Sequence, residues 1–151
     1  MCFKITPGAI VLATVFASAF ASDKPVNMKD LPPAVRRTVQ EQSKGATVRG
    51  LSMEVEHGRT IYEVEMTVNG RGKDVSMDAS GTVIEVEEEV ALGSIPAAAQ
   101  AAIEKAAAGG KIAKVEKVAG GKEFVYEAAL RKDGKRSEVR VSADGRLLPE
   151  D

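Results

Sequence analysis

A shift of 64 residues lays the second half of this 151-residue chain over the first without a gap. Asp30-Leu31-Pro32 meets Ser94-Ile95-Pro96, Val39 meets Ile103, Gly45 meets Gly109, and Val48 meets Ile112. Further on, Tyr62-Glu63 meets Tyr126-Glu127, Asn69-Gly70 meets Asp133-Gly134, Val75 meets Val139, and Gly81 meets Gly145. Capping residues, turn residues and apolar residues of core type recur, while the charges between them drift. One small folding unit used twice produces this pattern.

Each copy predicts a helix and then strands. Asp30 and Ser94 are expected N-caps, each followed within the first turn by a proline whose missing N–H does no harm there. Leu31, Val35 and Val39 fall four apart, as do Ile95, Ala99 and Ile103, giving each helix a narrow apolar stripe. Gly45 and Gly109 suit the left-handed position that ends a helix. The period then changes to two. In Arg59–Val68, Tyr62, Val64, Met66 and Val68 fall on one face, and Ile61, Glu63, Glu65 and Thr67 on the other. In the copy, Phe124, Tyr126, Ala128 and Leu130 are expected inward, and Val125, Glu127 and Ala129 outward.

Asn69-Gly70 and Asp133-Gly134 are hairpin signals, because a type I' turn needs positive φ at both central residues. Asp78-Ala79-Ser80-Gly81 and Ser142-Ala143-Asp144-Gly145 fit type I turns closed by a glycine bulge. Glu56-His57-Gly58 and Gly120-Gly121 occupy the remaining reversals. The predicted fold class is α+β, with two tandem repeats, each one helix followed by a four-stranded antiparallel meander. The strands are expected near 47–56, 59–68, 71–78 and 82–89, then 111–118, 122–131, 135–142 and 146–149. Lys117 on the apolar face makes 111–118 the least secure. A unit of about 60 residues is marginal alone, so the two should share a core or a sheet.

Residues 1–21 are read as a signal peptide and excluded from the fold. Lys4, the apolar run Ala9–Phe20 and the small-x-small triplet Ala19-Phe20-Ala21 predict cleavage before Ser22. The apolar run is shorter than the roughly 20 residues a spanning helix needs, and Asp23-Lys24-Pro25 follows at once, so no membrane anchor is expected. The domain reading is 1–21 signal peptide, 22–90 first repeat and 91–151 second repeat, in a periplasmic or secreted protein. Cys2, the sole cysteine, leaves with the signal. That removes disulfides, thiolate metal sites and cysteine nucleophiles from consideration. A net charge of −1 without a basic, aromatic-interleaved stripe argues against a nucleic-acid partner.

Catalysis finds little support in the residues. His57 is the only histidine and falls at an expected hairpin tip, without a second group to orient it. The pairs Gly109-Gly110 and Gly120-Gly121 do not open a helix after a strand, so they are not phosphate cradles. No catalytic residue and no cofactor is expected, and the chain is read as not an enzyme. The acidic residues carry the remaining interest. Paired as read, Glu54, Glu63, Glu65 and Asp74 project from one open sheet face, and Glu127, Glu138 and Arg140 do so in the copy. These are the candidate partner-binding residues. A solvated face that keeps an exposed sheet from aggregating explains the same pattern. A metal role is left open, since carboxylates could supply some of calcium's six to eight oxygens although no EF-type spacing is present.

At Tyr62-Glu63-Val64-Glu65, Asn69-Gly70, Lys73-Asp74-Val75 and Asp78-Ala79-Ser80-Gly81-Thr82-Val83 the sequence resembles the exported PepSY-like family. Tyr126-Glu127-Ala128, Asp133-Gly134-Lys135, Glu138-Val139-Arg140-Val141 and Ala143-Asp144-Gly145-Arg146-Leu147 repeat the match. Tandem units of this kind also resemble the secreted β-lactamase-inhibitor proteins, a resemblance that implies a binding module. Those inhibitors use disulfides and an aromatic-rich contact surface, whereas this mature chain has no cysteine, no tryptophan and few aromatics, and no inhibitory residue carries over. The functional expectation is an exported, non-enzymatic binding module that engages an envelope or secreted protein through its sheet face, as an inhibitor or modulator. The alternative is a small-ligand or divalent-cation sensor using the acidic face of the first repeat, with an enzyme using two of those carboxylates third.

Overall fold

The computed structural model describes residues 24–120 and 123–149. The signal peptide at 1–21, its cleavage before Ser22, and Gly121 of the Gly120-Gly121 reversal lie outside the described residues. The fold is α+β, with two helices and one nine-stranded antiparallel open sheet. A short β1 (Lys24–Pro25) precedes α1 (Pro33–Gln42), and four strands follow: β2 (Thr47–Glu56), β3 (Arg59–Val68), β4 (Arg71–Asp78) and β5 (Val83–Glu89). Then come α2 (Ala97–Ala107), β6 (Lys111–Ala119), β7 (Val125–Lys132), β8 (Lys135–Ser142) and β9 (Leu147–Leu148). The strands lie in chain order across the sheet, each antiparallel to the next.

The turns follow from their residues. Asn69 and Gly70 have φ of 51° and 80°, and Asp133 and Gly134 have 50° and 76°, the paired positive values of a type I' hairpin. His57 and Gly58 make a third turn of this kind, with φ of 48° and 78°. At Asp78–Thr82 the bulge closes through the Gly81 N–H to the Asp78 carbonyl, 2.9 Å, and the Asp78 N–H to the Thr82 carbonyl, 3.0 Å. The same two bonds, each 2.9 Å, recur between Gly145 and Ser142 and between Ser142 and Arg146. Ladder irregularities fall between Val48 and Gly50 and between Ile112 and Lys114, again 64 residues apart.

The helix starts correct the expected caps. Asp30 and Ser94 each end a short 3-10 turn, Met28–Asp30 and Leu92–Ser94, and the N-cap positions belong to Pro32 and Pro96, without a side-chain cap. The proline fixes its own φ and leads the chain from an extended conformation into the helix. At the other end of α2 the left-handed C-cap is Ala108, φ 47°, ahead of Gly109, φ 79°. In α1 the cap is Ser43, and Gly45, φ 76°, stands beyond it.

Register places both helices on one side of the sheet. Val64 stands opposite Val75, Val75 opposite Val86, and Val86 opposite Ala119, while Lys117 stands opposite Tyr126 and Tyr126 opposite Val141. Directly opposite residues share a face, so all of these lie on the side the helices cover. Val35 and Val39 of α1 pack with Val64, Met66, Val75 and Met77, and Ala99, Ile103 and Ala107 of α2 pack with Val115, Tyr126, Ala128, Leu130 and Val141. These are two separate cores under one shared sheet. The expected inward Phe124 is a correction. It precedes β7 and is 48% exposed, and its ring takes the Lys117 ammonium at 4.0 Å from the centroid. That contact lets β6 form despite a lysine on its apolar side. β1 is an addition to the expected meander, with Pro25 on the sheet edge where a missing N–H is tolerated.

Candidate functional site on the open sheet face

The face away from the helices carries the charge. Its strands are built by the alternation described above, which sends Glu63, Glu65 and Asp74 opposite to buried Val64, Met66 and Val75 beside them, and Glu85, Glu87 and Glu89 opposite to the half-buried Val86 of their own strand. Glu65 stands directly opposite Asp74, Asp74 opposite Glu87, and Glu87 opposite Val118. One step along, Glu89 stands opposite Glu116, Glu116 opposite Glu127, and Glu127 opposite Arg140. A belt of carboxylates therefore crosses the middle of the sheet from β3 to β7.

Three cations answer part of this charge. The Arg49 guanidinium, brought to this face by the irregularity in β2, donates to Asp74 at 3.1 Å and lies 3.9 Å from Glu65. Lys114, beside the matching irregularity in β6, lies 2.8 Å from Glu116, a residue only 5% exposed. The Arg140 Nε lies 3.1 Å from Glu127. Burial pushes the Glu87 carboxyl up to about 8, and the charges of Glu116, Glu127, Glu85 and Asp74 add to the rise. Its neighbour across the ladder is the buried Val118, which gives the carboxylate no polar contact. Glu127 is pushed up to about 7, chiefly by burial, against the opposing pull of Arg140. For Lys114 burial acts downward, but the hydrogen bond to Glu116 and the surrounding acids leave it raised.

Of the seven residues expected from sequence, Glu65 and Asp74 come together around Arg49, and Glu127 and Arg140 pair with each other. Glu63 lies one step away between Ser52 and Ser76, Glu54 stands opposite Ile61 near the β2–β3 turn, and Glu138 of β8, opposite Ala129, joins the Glu127–Arg140 pair through a side-chain hydrogen bond with Glu127. The face thus holds all seven without gathering them into one site. Sequence reasoning passed over Glu87, Glu116, Arg49 and Lys114. The outward parity of Glu85, Glu87 and Glu89 was available in the sequence, but the pairing of β5 with β6 that sets them against Glu116 was not.

Asp74, Glu87 and Glu116 bring carboxylate oxygens within 4.8 Å of one another, the grouping among the described residues best placed for a metal. Three oxygens fall short of the six to eight that calcium takes, and Arg49 and Lys114 already hold two of the three acids. Beside them is an open, polar depression of about 270 Å³ lined by Arg49, Arg71, Asp74, Glu89, Lys114 and Glu116. Mixed charges of this kind suit polar recognition better than enclosure of an apolar ligand. His57 stays at its turn tip with its side chain 91% exposed, 3.8 Å from Glu56, with no nucleophile in that pairing.

No family model matches the chain, and no curated protein matches it. Solved structures do. A DUF2874 family protein from Bacteroides ovatus ATCC 8483 superposes with a TM-score of 0.61 at 18% identity, covering 79% of this chain and 85% of that one. A BLIP-like protein from Bacteroides fragilis NCTC 9343 gives 0.57 at 22% identity, covering 78% and 83%. The fold is BLIP-like. A protein from Bacteroides eggerthii DSM 20697, named as a candidate periplasmic protein, gives 0.64 at 15% identity, covering 79% and 86%. These likenesses are of fold, reached with little sequence in common.

Proposed function

We propose that this is an exported, non-enzymatic binding module whose uncovered sheet face engages a protein of the cell envelope or a secreted protein, as its inhibitor or modulator. The observation that carries the reading is that both helices cover one side of a nine-stranded sheet, leaving a broad opposite face lined with charged side chains. Such a face offers area and charge pattern, which recognition uses, while the only histidine sits alone at a turn tip, which catalysis does not. In this reading residues 22–90 and 91–151 are two PepSY-like units, each a helix followed by four strands. Turn, bulge and irregularity positions separated by 64 residues support it. Export rests on the signal-like residues 1–21 and on the periplasmic naming of a structural neighbour.

The contact residues are Glu54, Glu63, Glu65, Asp74, Glu127, Glu138 and Arg140. Capture from envelope extract with the full chain tests them. The expected result is a salt-sensitive partner that is retained by a helix-side control, Lys105→Gln, and lost with Glu63→Gln plus Glu65→Gln. A partner held equally by all variants, or none at all, contradicts the proposal.

A further inference from the structure

The joint between the first five strands and the last four is the thinnest in the sheet interior. β5 and β6 share four register pairs, Val86↔Ala119, Glu87↔Val118, Glu88↔Lys117 and Glu89↔Glu116, extended by the Val90 N–H to the Val115 carbonyl at 2.9 Å. β2 and β3 share nine pairs, and β7 and β8 share eight. On the helix side the joint presents Glu88 and Lys117, with Lys73 held by Glu88 at 3.3 Å, and Val90 at the end of β5 is its link to the α2 core. On the open side, acids stand directly opposite each other in four places, Glu65 with Asp74, Asp74 with Glu87, Glu89 with Glu116, and Glu116 with Glu127. Of these Glu89 with Glu116 spans the joint, and the Glu87 carboxylate comes within 4.8 Å of that of Glu116 across it. Each such pair weakens a ladder when both members are ionised.

Glu87 is the member least provided for. From β4 it faces Asp74, which Arg49 of β2 holds, and on its own strand it has Glu85 and Glu89. From β6 it faces Lys114 and Glu116, which hold each other, and from β7 Glu127, which Arg140 of β8 holds. Glu89 accepts the Gly72 N–H at 3.0 Å. Among the described residues Glu87 forms no ion pair, and it sits against buried Val118. Lys114 feels the Glu87 charge, but its short contact is to Glu116, so protonation removes a charge that no ion pair neutralises.

We propose that the β5–β6 joint is a proton-dependent seam, closed while Glu87 carries a proton between Asp74 and Glu116 and loosened when that proton leaves. The rise of this carboxyl to about 8 places the change in the mildly alkaline range. Loosening leaves the α1 core in place and touches the α2 core only through Val90, which packs against it from the end of β5.

Hydrogen–deuterium exchange on the full chain, corrected for the intrinsic pH dependence of exchange, tests this. Protection of β5 and β6 amides is expected to fall more than about tenfold between about pH 7 and about pH 9.5, while β3–β4 amides hold theirs. Glu87→Gln should abolish the fall. Glu116→Gln, which removes a facing charge, should shrink it and serves if the first variant does not fold. A fall spread evenly over the sheet, or one that persists in the folded variants, overturns the seam.

Discussion

Gly81 and Gly145 show how tightly single positions fix this fold. Both have positive φ, 79° and 84°, and both lie under the first turn of a helix, where a Cβ would meet the Ala34 carbonyl oxygen at 2.7 Å or the Ala98 carbonyl oxygen at 2.6 Å. Thr38 reinforces the first contact by donating its hydroxyl to the Gly81 carbonyl at 2.7 Å. Gly81→Ala therefore adds a backbone clash to left-handed strain, and a loss of about 2 kcal/mol or more is expected in urea unfolding. Gly45→Ala has positive φ but open space and should cost about 1 kcal/mol. Equal losses would show that the helix contact does not matter. The turns also trade roles between their side chains. The Asp78 carboxylate takes the Ser80 N–H and hydroxyl, whereas the Ser142 hydroxyl donates to Asp144. In both, the acid is held below its ordinary value, first by the serine hydroxyl.

Titration belongs to this scale too, with a definite sign. Glu87 and Glu127 rise from 4.5 to about 8 and about 7, so the folded chain binds more protons than the unfolded chain between 4.5 and those values. Stability from these two groups is greatest below 4.5 and declines as pH rises through that window. Thermal melts should fall from about pH 5 to about pH 8.5, on the order of 5 °C, and Glu87→Gln should flatten the slope and raise the melt at the alkaline end. A melt that rises over this range contradicts the assignment.

At the scale of elements, the local signals were legible and the long-range ones were not. Asn69-Gly70, Asp133-Gly134 and the strand alternation identified the strands closely, because φ preference and period two act within a few residues. The helix starts misled because Asp30 and Ser94 are good caps in isolation, while a 3-10 turn and a proline do the work here. β1 was invisible, being two residues whose only reason to be a strand is the neighbouring edge of β2. The β5–β6 pairing, and with it the meeting of Glu87 and Glu116, joins residues about thirty apart in sequence and leaves no local trace. The separate cores give an element-scale prediction. Val39→Ala and Ile103→Ala remove fully buried side chains from different cores, and Ile103→Ala should cost about 2–5 kcal/mol. Combined, their effects should add within about 0.5 kcal/mol in equilibrium unfolding, and a larger coupling would mean that the cores communicate through the sheet.

For the whole molecule, one continuous sheet with both described helices on one side divides the surface into a face used for packing and an uncovered face, which the proposed function assigns to recognition. Charge follows the same division, since Arg49, Asp74, Glu87, Glu116, Glu127 and Arg140 stand on the open face in cross-strand order. Carboxyl footprinting of the full chain in envelope extract, with and without high salt, tests the recognition claim most directly. The account predicts that Glu63, Glu65 and Glu138 become protected from carbodiimide labelling at low salt, while the helix residues Glu41 and Glu104 label as they do in buffer. Protection of Glu41 and Glu104 with the sheet carboxylates unchanged would contradict it.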